Sequence, residues 1–349
     1  MERVMDTNTG LPLSQKVSEK LRNLNFICTI LIVMHHLPIQ SESTQLYHWF
    51  RRFVTSGATL IFFAISGYLV ARHIYERGWF VTLLKKRIRN LVIPYFMVNT
   101  LYVPFIVVYH NIFGKGSWQG GGVGFNMYSI SRLYGLNPVS NPACGPFWFV
   151  RTLFLFTLIT PALVWVIKCG RIKSLLLVLG LLILARLIEI NDWYCDFQYG
   201  FFNIRGLAFY LLGMNLYVYG IEMDKRIKPW LYLYAIASVI VLGVGIAPAA
   251  TFAISAMFWL VVAVGIWAFT PTQPIPKWLA KSTFAIFALH TLIFYPYSWL
   301  INSAYGQFLN LPIVQIAVPL LIGAGVPIAI KSLIDYRWPR ISTVMFGGR

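Results

Sequence analysis

Apolar residues along the chain gather into ten runs, at about 24–41, 55–75, 91–112, 147–167, 174–190, 201–220, 229–247, 250–270, 282–300 and 312–332. Polar stretches separate them. A hydrocarbon core about 30 Å thick takes roughly 20 apolar residues per helix, so runs of this length predict helices that cross a bilayer. The expected fold is all-α: a polytopic membrane bundle of about ten transmembrane helices, both termini cytoplasmic, in one membrane domain covering 1–349. Pro94, Pro104, Pro161, Gly243 and Pro319 fall inside runs, and membrane helices tolerate them where neighbours re-satisfy the freed backbone groups. Residues 1–22 form a polar N-terminal stretch on the cytoplasmic side. No small-residue cleavage site follows the first run, so that run is expected to stay as a helix.

Composition removes the soluble alternatives. The chain is 58% hydrophobic and only 11% charged, against roughly 45–50% and about 25% in soluble domains. Its net charge of +18 suggests nucleic acid at first sight, but the basic residues sit between apolar runs and no basic module stands apart. Nucleic acid is therefore not an expected partner; membrane lipid is. With the N-terminus inside, 22 of the 29 Lys and Arg fall on the cytoplasmic side, four fall outside and three lie in or beside spans. That bias sets the orientation. The longest loop, 111–146, contains "GKGSWQGGGVGF" and lies outside. Cys144 and Cys195 also lie outside, where an oxidising compartment allows them to pair.

Ionisable side chains at membrane depth are expensive, and they face a cavity or a partner. His35 and His36 lie in the outer half of the first span, Arg151 one turn into the fourth, Arg186 and Glu189 at the end of the fifth, and Arg205 one turn into the sixth. If these helices pack together, the groups line one positively biased cavity. His290 lies deeper, in the ninth span. Simpler roles stay open: an i, i+3 ion pair for Arg186 and Glu189, snorkelling for Arg205, an interhelical contact for His290. Adjacent imidazoles point to different sides of a helix, so at most one of His35 and His36 is expected to be catalytic. The six His are dispersed with no HExxH spacing, and no GxxxxGK loop is present, so neither a metal nor a bound cofactor is expected.

Six blocks in order resemble the acyltransferase 3 family of integral-membrane O-acyltransferases. "LRNLNFICTILIVMHH" resembles the first-helix motif that ends in the family's essential His, here His36. "IFFAISGYLVARHI" resembles the second-helix block and brings in Phe62, Phe63, Ser66, Gly67 and Tyr68. "KKRIRNLVIPYF" is similar to the basic segment before the third helix, "GPFWFVRTLFLFTLITP" to the start of the fourth, "FYLLGMNLY" to a later Gly-containing element, and "STFAIFALH" to a late helix ending in His290. Two departures stand out. The position eleven residues before His36 is Asn25 where the family pattern has a basic residue, with Arg22 one turn earlier on the same face; and Arg151 is followed by Thr152 where the pattern has Asp.

The resemblance implies transfer of an acetyl group from cytoplasmic acetyl-coenzyme A to a hydroxyl of a carbohydrate acceptor, a lipid-linked sugar or surface polysaccharide, in a bacterial inner membrane. An imidazole near its ordinary pKa suits the base, which makes His36 the expected base or acyl carrier. Arg151 is the expected stabiliser of transition-state charge. Lys85, Lys86, Arg87 and Arg89 either bind the donor's phosphates or only anchor topology. The rival from another class is a transporter or flippase for an anionic or lipid-linked sugar; a structural or sensory membrane protein would leave His36, Arg151 and the ordered blocks unexplained.

Overall fold

Polar residues start the first helix earlier than apolarity alone predicts. In the computed structural model, which describes residues 15–38, 55–113, 130–131, 133–136, 142–190, 202–220, 248–302 and 312–346, α1 spans Gln15–His35. Its opening turns have partners. Arg22 pairs with Glu19 at 2.8 Å, and the Asn23 amide donates to the carbonyls of Pro271 and Gln273 at 2.8 and 2.7 Å.

A 3₁₀ turn, Thr55–Gly57, leads into α2, Ala58–Ala71. Then α3, Trp79–Arg87, runs through a π turn, Ile88–Val92, into α4, Ile93–Phe113. The π turn ends in an i→i−5 bond from the Ile93 N–H to the Ile88 carbonyl. Pro94, which has no N–H to donate, follows at once, and a widened turn absorbs that loss. After a 3₁₀ turn at Gly145–Phe147 come α5, Trp148–Lys168, and α6, Arg171–Ile190. Helix α7, Ile204–Val218, is capped by the Asn203 side chain, which accepts from the Gly206 N–H at 2.5 Å. The order closes with α8, Pro248–Phe269; α9, Lys277–Asn302; α10, Pro312–Arg337; and the short α11, Pro339–Met345.

Every expected run overlaps one of these helices in its described part except 229–247, which lies outside the described residues, and the described residues contain no strand. Among them, Gly145–Lys168, Lys277–Ser298 and Val314–Arg337 are long and apolar enough to cross a membrane. Large apolar side chains such as Trp165, Leu176 and Leu321 stay exposed on the outer surface, as helices solvated by lipid require. Residues 1–14 and 347–349, and most of the loop 111–146, lie outside the described residues.

The closest packing joins α2 to α7. A Cβ on Gly67 would collide with the Tyr210 carbonyl, and one on Gly213 with the Ala64 carbonyl. The glycines of "SGYL" and "LLGM" thus let two backbones touch reciprocally, as small residues do between membrane helices. Hydroxyls inside apolar helices are satisfied locally: Thr29, Thr157 and Thr160 each donate to the carbonyl four residues back, at 2.8 to 3.0 Å. Helix α1 packs against α2 and α9, with α10 also touching it. That arrangement puts the first and ninth helices, which carry His36 and His290, side by side.

Candidate active site

The last turn of α1 fixes an imidazole. Nδ1 of His36 is 2.9 Å from the Ile32 carbonyl. A carbonyl only accepts, so Nδ1 carries the proton and the lone pair sits on Nε2. His290 is held the same way: Nδ1 donates to the carbonyls of Ile286 and Phe287, both at 3.0 Å. It is fully buried, and its Nε2 has no hydrogen-bond partner among the described residues. The two rings lie 5.2 Å apart between centroids. His35 turns to the other side, with Nδ1 2.9 Å from the Thr55 hydroxyl, though its ring edge still meets His36 at 5.1 Å. The neighbours in sequence therefore face different partners.

Tyr102 is anchored to the helix around His290. Its buried hydroxyl donates to the Ala288 carbonyl at 2.8 Å and accepts from the Leu292 N–H at 3.1 Å, with Thr291 Oγ1 at 2.9 Å. Ala288 and Leu292 form an i, i+4 pair that an uninterrupted helix joins directly. The phenol therefore bonds to both ends of the turn that carries His290 and ties α4 to it. Pro296, four residues past Leu292, supplies no N–H to the Leu292 carbonyl, so the helix is already weak there.

Below the histidines lies a cavity of about 580 Å³. At one end stand Arg22 of α1, Arg87 of α3, and Lys277 and Lys281 of α9; at the other stand Phe62, Phe149 and Phe287. Chain order sets this polarity, because α1 and α9 run from the cations toward His36 and His290. Arg22 and His36 are fourteen residues apart, about 21 Å along a helix axis. Asn25 and Thr29 line the cavity between them, on the α1 face that ends in His36. Ser66 sits midway and accepts from the Arg87 guanidinium at 2.6 Å.

The expected residues divide accordingly. The structure brings together His36, His290 and His35 at one end, and Arg22, Arg87 and Ser66 around the cavity. Lys85, Lys86 and Arg89 are exposed and do not line it. Arg151 also takes no part in the lining: it is buried and its Nη1 donates to the Gly135 carbonyl. Tyr95 supports the same turn, donating to the Tyr134 carbonyl at 2.6 Å. Gly135 has φ +57, and a Cβ there would stand 2.7 Å from Arg151 Nη1 and 3.0 Å from the Tyr95 hydroxyl. Arg151 thus clamps the loop ahead of α5. Arg186, on α6, is outside the lining, and the Glu189 side chain lies outside the described residues. Arg205 lies over the Trp259 ring at 5.6 Å, a cation–π contact joining α7 to α8. Among the described residues these groups fall into a histidine cluster, a loop clamp and a cavity at the Arg22 end.

Lys277, Lys281 and Tyr102 were not singled out by the sequence. The two lysines repeat at i, i+4 just ahead of "STFAIFALH", and a tyrosine deep in an apolar run needs a partner for its hydroxyl; those were the available signals. Cys144 is a free, fully buried thiol and Cys195 lies outside the described residues. Among the described residues no group of His, Cys, Asp and Glu is arranged to hold a metal ion.

The family model for the acyltransferase domain of acyltransferase 3 type matches residues 20–331. No curated protein and no solved structure matches the chain.

Proposed function

From the premise that this chain belongs to the acyltransferase 3 family, and so is a membrane acyltransferase, we propose that it moves an acetyl group from cytoplasmic acetyl-coenzyme A to a carbohydrate hydroxyl presented at the histidine end. The observation that carries the proposal is the single α1 face that lines a cation-ringed cavity and ends in an imidazole whose Nδ1 is tied to the Ile32 carbonyl, which leaves the lone pair on Nε2. Arg22, Arg87, Lys277 and Lys281 would take the phosphates of the donor, since charge-assisted bonds to phosphate oxygens are the strong ones. The thioester would then point inward, toward His290 and His36.

At that end His36 Nε2 takes the proton of the acceptor hydroxyl as the oxygen attacks the thioester carbonyl. The tetrahedral intermediate collapses, the C–S bond breaks, and the coenzyme A thiolate takes the proton back from His36. His290, beside it with an unfilled Nε2, would accept a hydrogen bond from the acceptor. Arg151 acts through the loop it clamps. A route through acetyl-imidazole uses the same nitrogen as nucleophile and is distinguished by trapping acetylated protein. The bacterial inner membrane and a lipid-linked sugar or surface glycan as acceptor belong to this same reading.

The test is acetyl-coenzyme A turnover by the purified protein in detergent with a sugar acceptor. Thioester cleavage that depends on His36 is the expected result. Binding of acetyl-coenzyme A or of sugar without any cleavage would favour a transporter or flippase, which breaks no thioester.

A further inference from the structure

The run from Lys85 to Arg89 divides between two sides of one helix. Arg87 turns to Ser66 and the cavity, whereas Lys85, Lys86 and Arg89 are exposed and outside the lining. Arg89 follows Lys85 by four residues and Lys86 by three, spacings that make neighbours on a helix surface. Ile93 and Phe96, four and seven residues after Arg89, continue that outer side and are 40% and 42% exposed. Clustered cations thus give way to exposed apolar side chains over about 10 Å of helix. That is the step from headgroup to hydrocarbon at a bilayer surface, where long basic side chains reach toward the phosphates. Residues 79–113 contain no Asp or Glu. The described carboxylates Glu19, Glu76 and Asp335 are engaged elsewhere, with Arg22, His73 and Lys331.

We propose that Lys85, Lys86 and Arg89 form a seat for the headgroup of an anionic phospholipid, on the side of the helix turned away from the cavity. The three cations take the lipid phosphate, and its acyl chains lie along Ile93 and Phe96. Net negative charge is what they select. A zwitterionic headgroup brings a phosphate too, but its own ammonium opposes three clustered cations. Each Lys or Arg held near an anionic bilayer surface favours it by about fivefold, an attraction that falls off within a Debye length. The seat and the cavity face opposite ways, so lipid and coenzyme A occupy them together without competing, and the seat requires no acyl chemistry.

The experiment offers the full-length protein in detergent an equal mixture of phosphatidylglycerol and phosphatidylcholine and counts retained lipid by native mass spectrometry. Wild type retains phosphatidylglycerol in preference to phosphatidylcholine. Combined replacement of Lys85, Lys86 and Arg89 by Gln lowers that preference about tenfold or more. Lys85→Gln and Lys86→Gln alone, which leave the other basic residues in place, each lower it several-fold. Combined replacement of Lys168 and Lys173, exposed cations on another turn, leaves it unchanged. Absence of a preference in wild type overturns the proposal, as does an unchanged preference in the folded single variants or an equal loss on replacing Lys168 and Lys173. Binding of coenzyme A to the same proteins separates this from the donor reading: a triple variant that loses coenzyme A but keeps its phosphatidylglycerol contradicts the lipid seat, whereas a wild type that binds phosphatidylglycerol and no coenzyme A contradicts the donor cavity alone.

Discussion

The two ends of α1 solve different problems with different means. At the Arg22 end, charge is spread over side chains from three helices, α1, α3 and α9, all long and reaching into one cavity. At the His36 end the imidazoles of His36 and His290 are each held by carbonyls of their own helix, and a tyrosine hydroxyl bonds α9 on either side of His290. Long cations grip an anion from many angles and share the work. A group that must hold or release a proton at one atom cannot be shared. The mouth should therefore tolerate single losses, and the histidine end should not.

The largest expected effect is at His36. Removing a general base typically lowers rate by about 10²–10⁴-fold, so His36→Ala should abolish measurable transfer while the protein still accumulates in membranes. His35→Ala, which loses the Thr55 contact instead, should keep substantial activity. Release of the coenzyme A thiol measures both, and equal losses would contradict the division between the two rings. Next comes Tyr102→Phe. Without the hydroxyl, α4 loses its bonds to the Ala288 carbonyl and the Leu292 N–H on either side of His290. A net loss of about 1–3 kcal/mol for disturbed buried hydrogen bonds predicts a fall of about tenfold or more in kcat, with little change in the KM for the donor.

How much of this was legible in the sequence differs between the ends. His36 and His290 stand out as candidates, because an imidazole in an apolar run has few reasons to be there and both close a motif; that the two rings meet is not visible in the sequence. The α2–α7 contact was half legible: Gly67 and Gly213 were visible as residues, but their reciprocal backbone contacts exist only once the helices meet. The cation end was read as the run Lys85, Lys86, Arg87 and Arg89, yet residues two apart on a helix point about 200° apart, so one face takes Arg87 and leaves Arg89 outside. Lys277 and Lys281 carried no label that distinguished them from residues that merely orient a helix. For Arg151 the sequence shows a cation near a helix start, but not that Gly135, sixteen residues earlier, folds back to meet it.

Smaller effects sharpen the contrast at the mouth. Arg87→Gln or Lys281→Gln should each raise the KM for acetyl-coenzyme A by about tenfold, since one charge-assisted contact contributes roughly 1.5–3 kcal/mol and is made before the chemical step. Lys85→Gln and Arg89→Gln should leave that KM unchanged, and a rise equal to that of Arg87→Gln would restore the whole run as the donor site. The smallest effect is that of salt. Raising ionic strength screens the cation end and should weaken donor binding modestly, while kcat, expected to be set at the histidine end, stays constant.

The central claim is that one α1 face links a donor cavity to the base at His36. Its most direct measurement follows acetyl-coenzyme A labelled in the acetyl group, incubated with purified wild type, His36→Ala and Arg87→Gln protein in detergent with a sugar acceptor. The account predicts label on the acceptor with wild type, none with His36→Ala even at saturating donor, and near-normal transfer with Arg87→Gln once donor is raised. Transfer that survives His36→Ala, or an Arg87→Gln defect that saturating donor does not relieve, would contradict it.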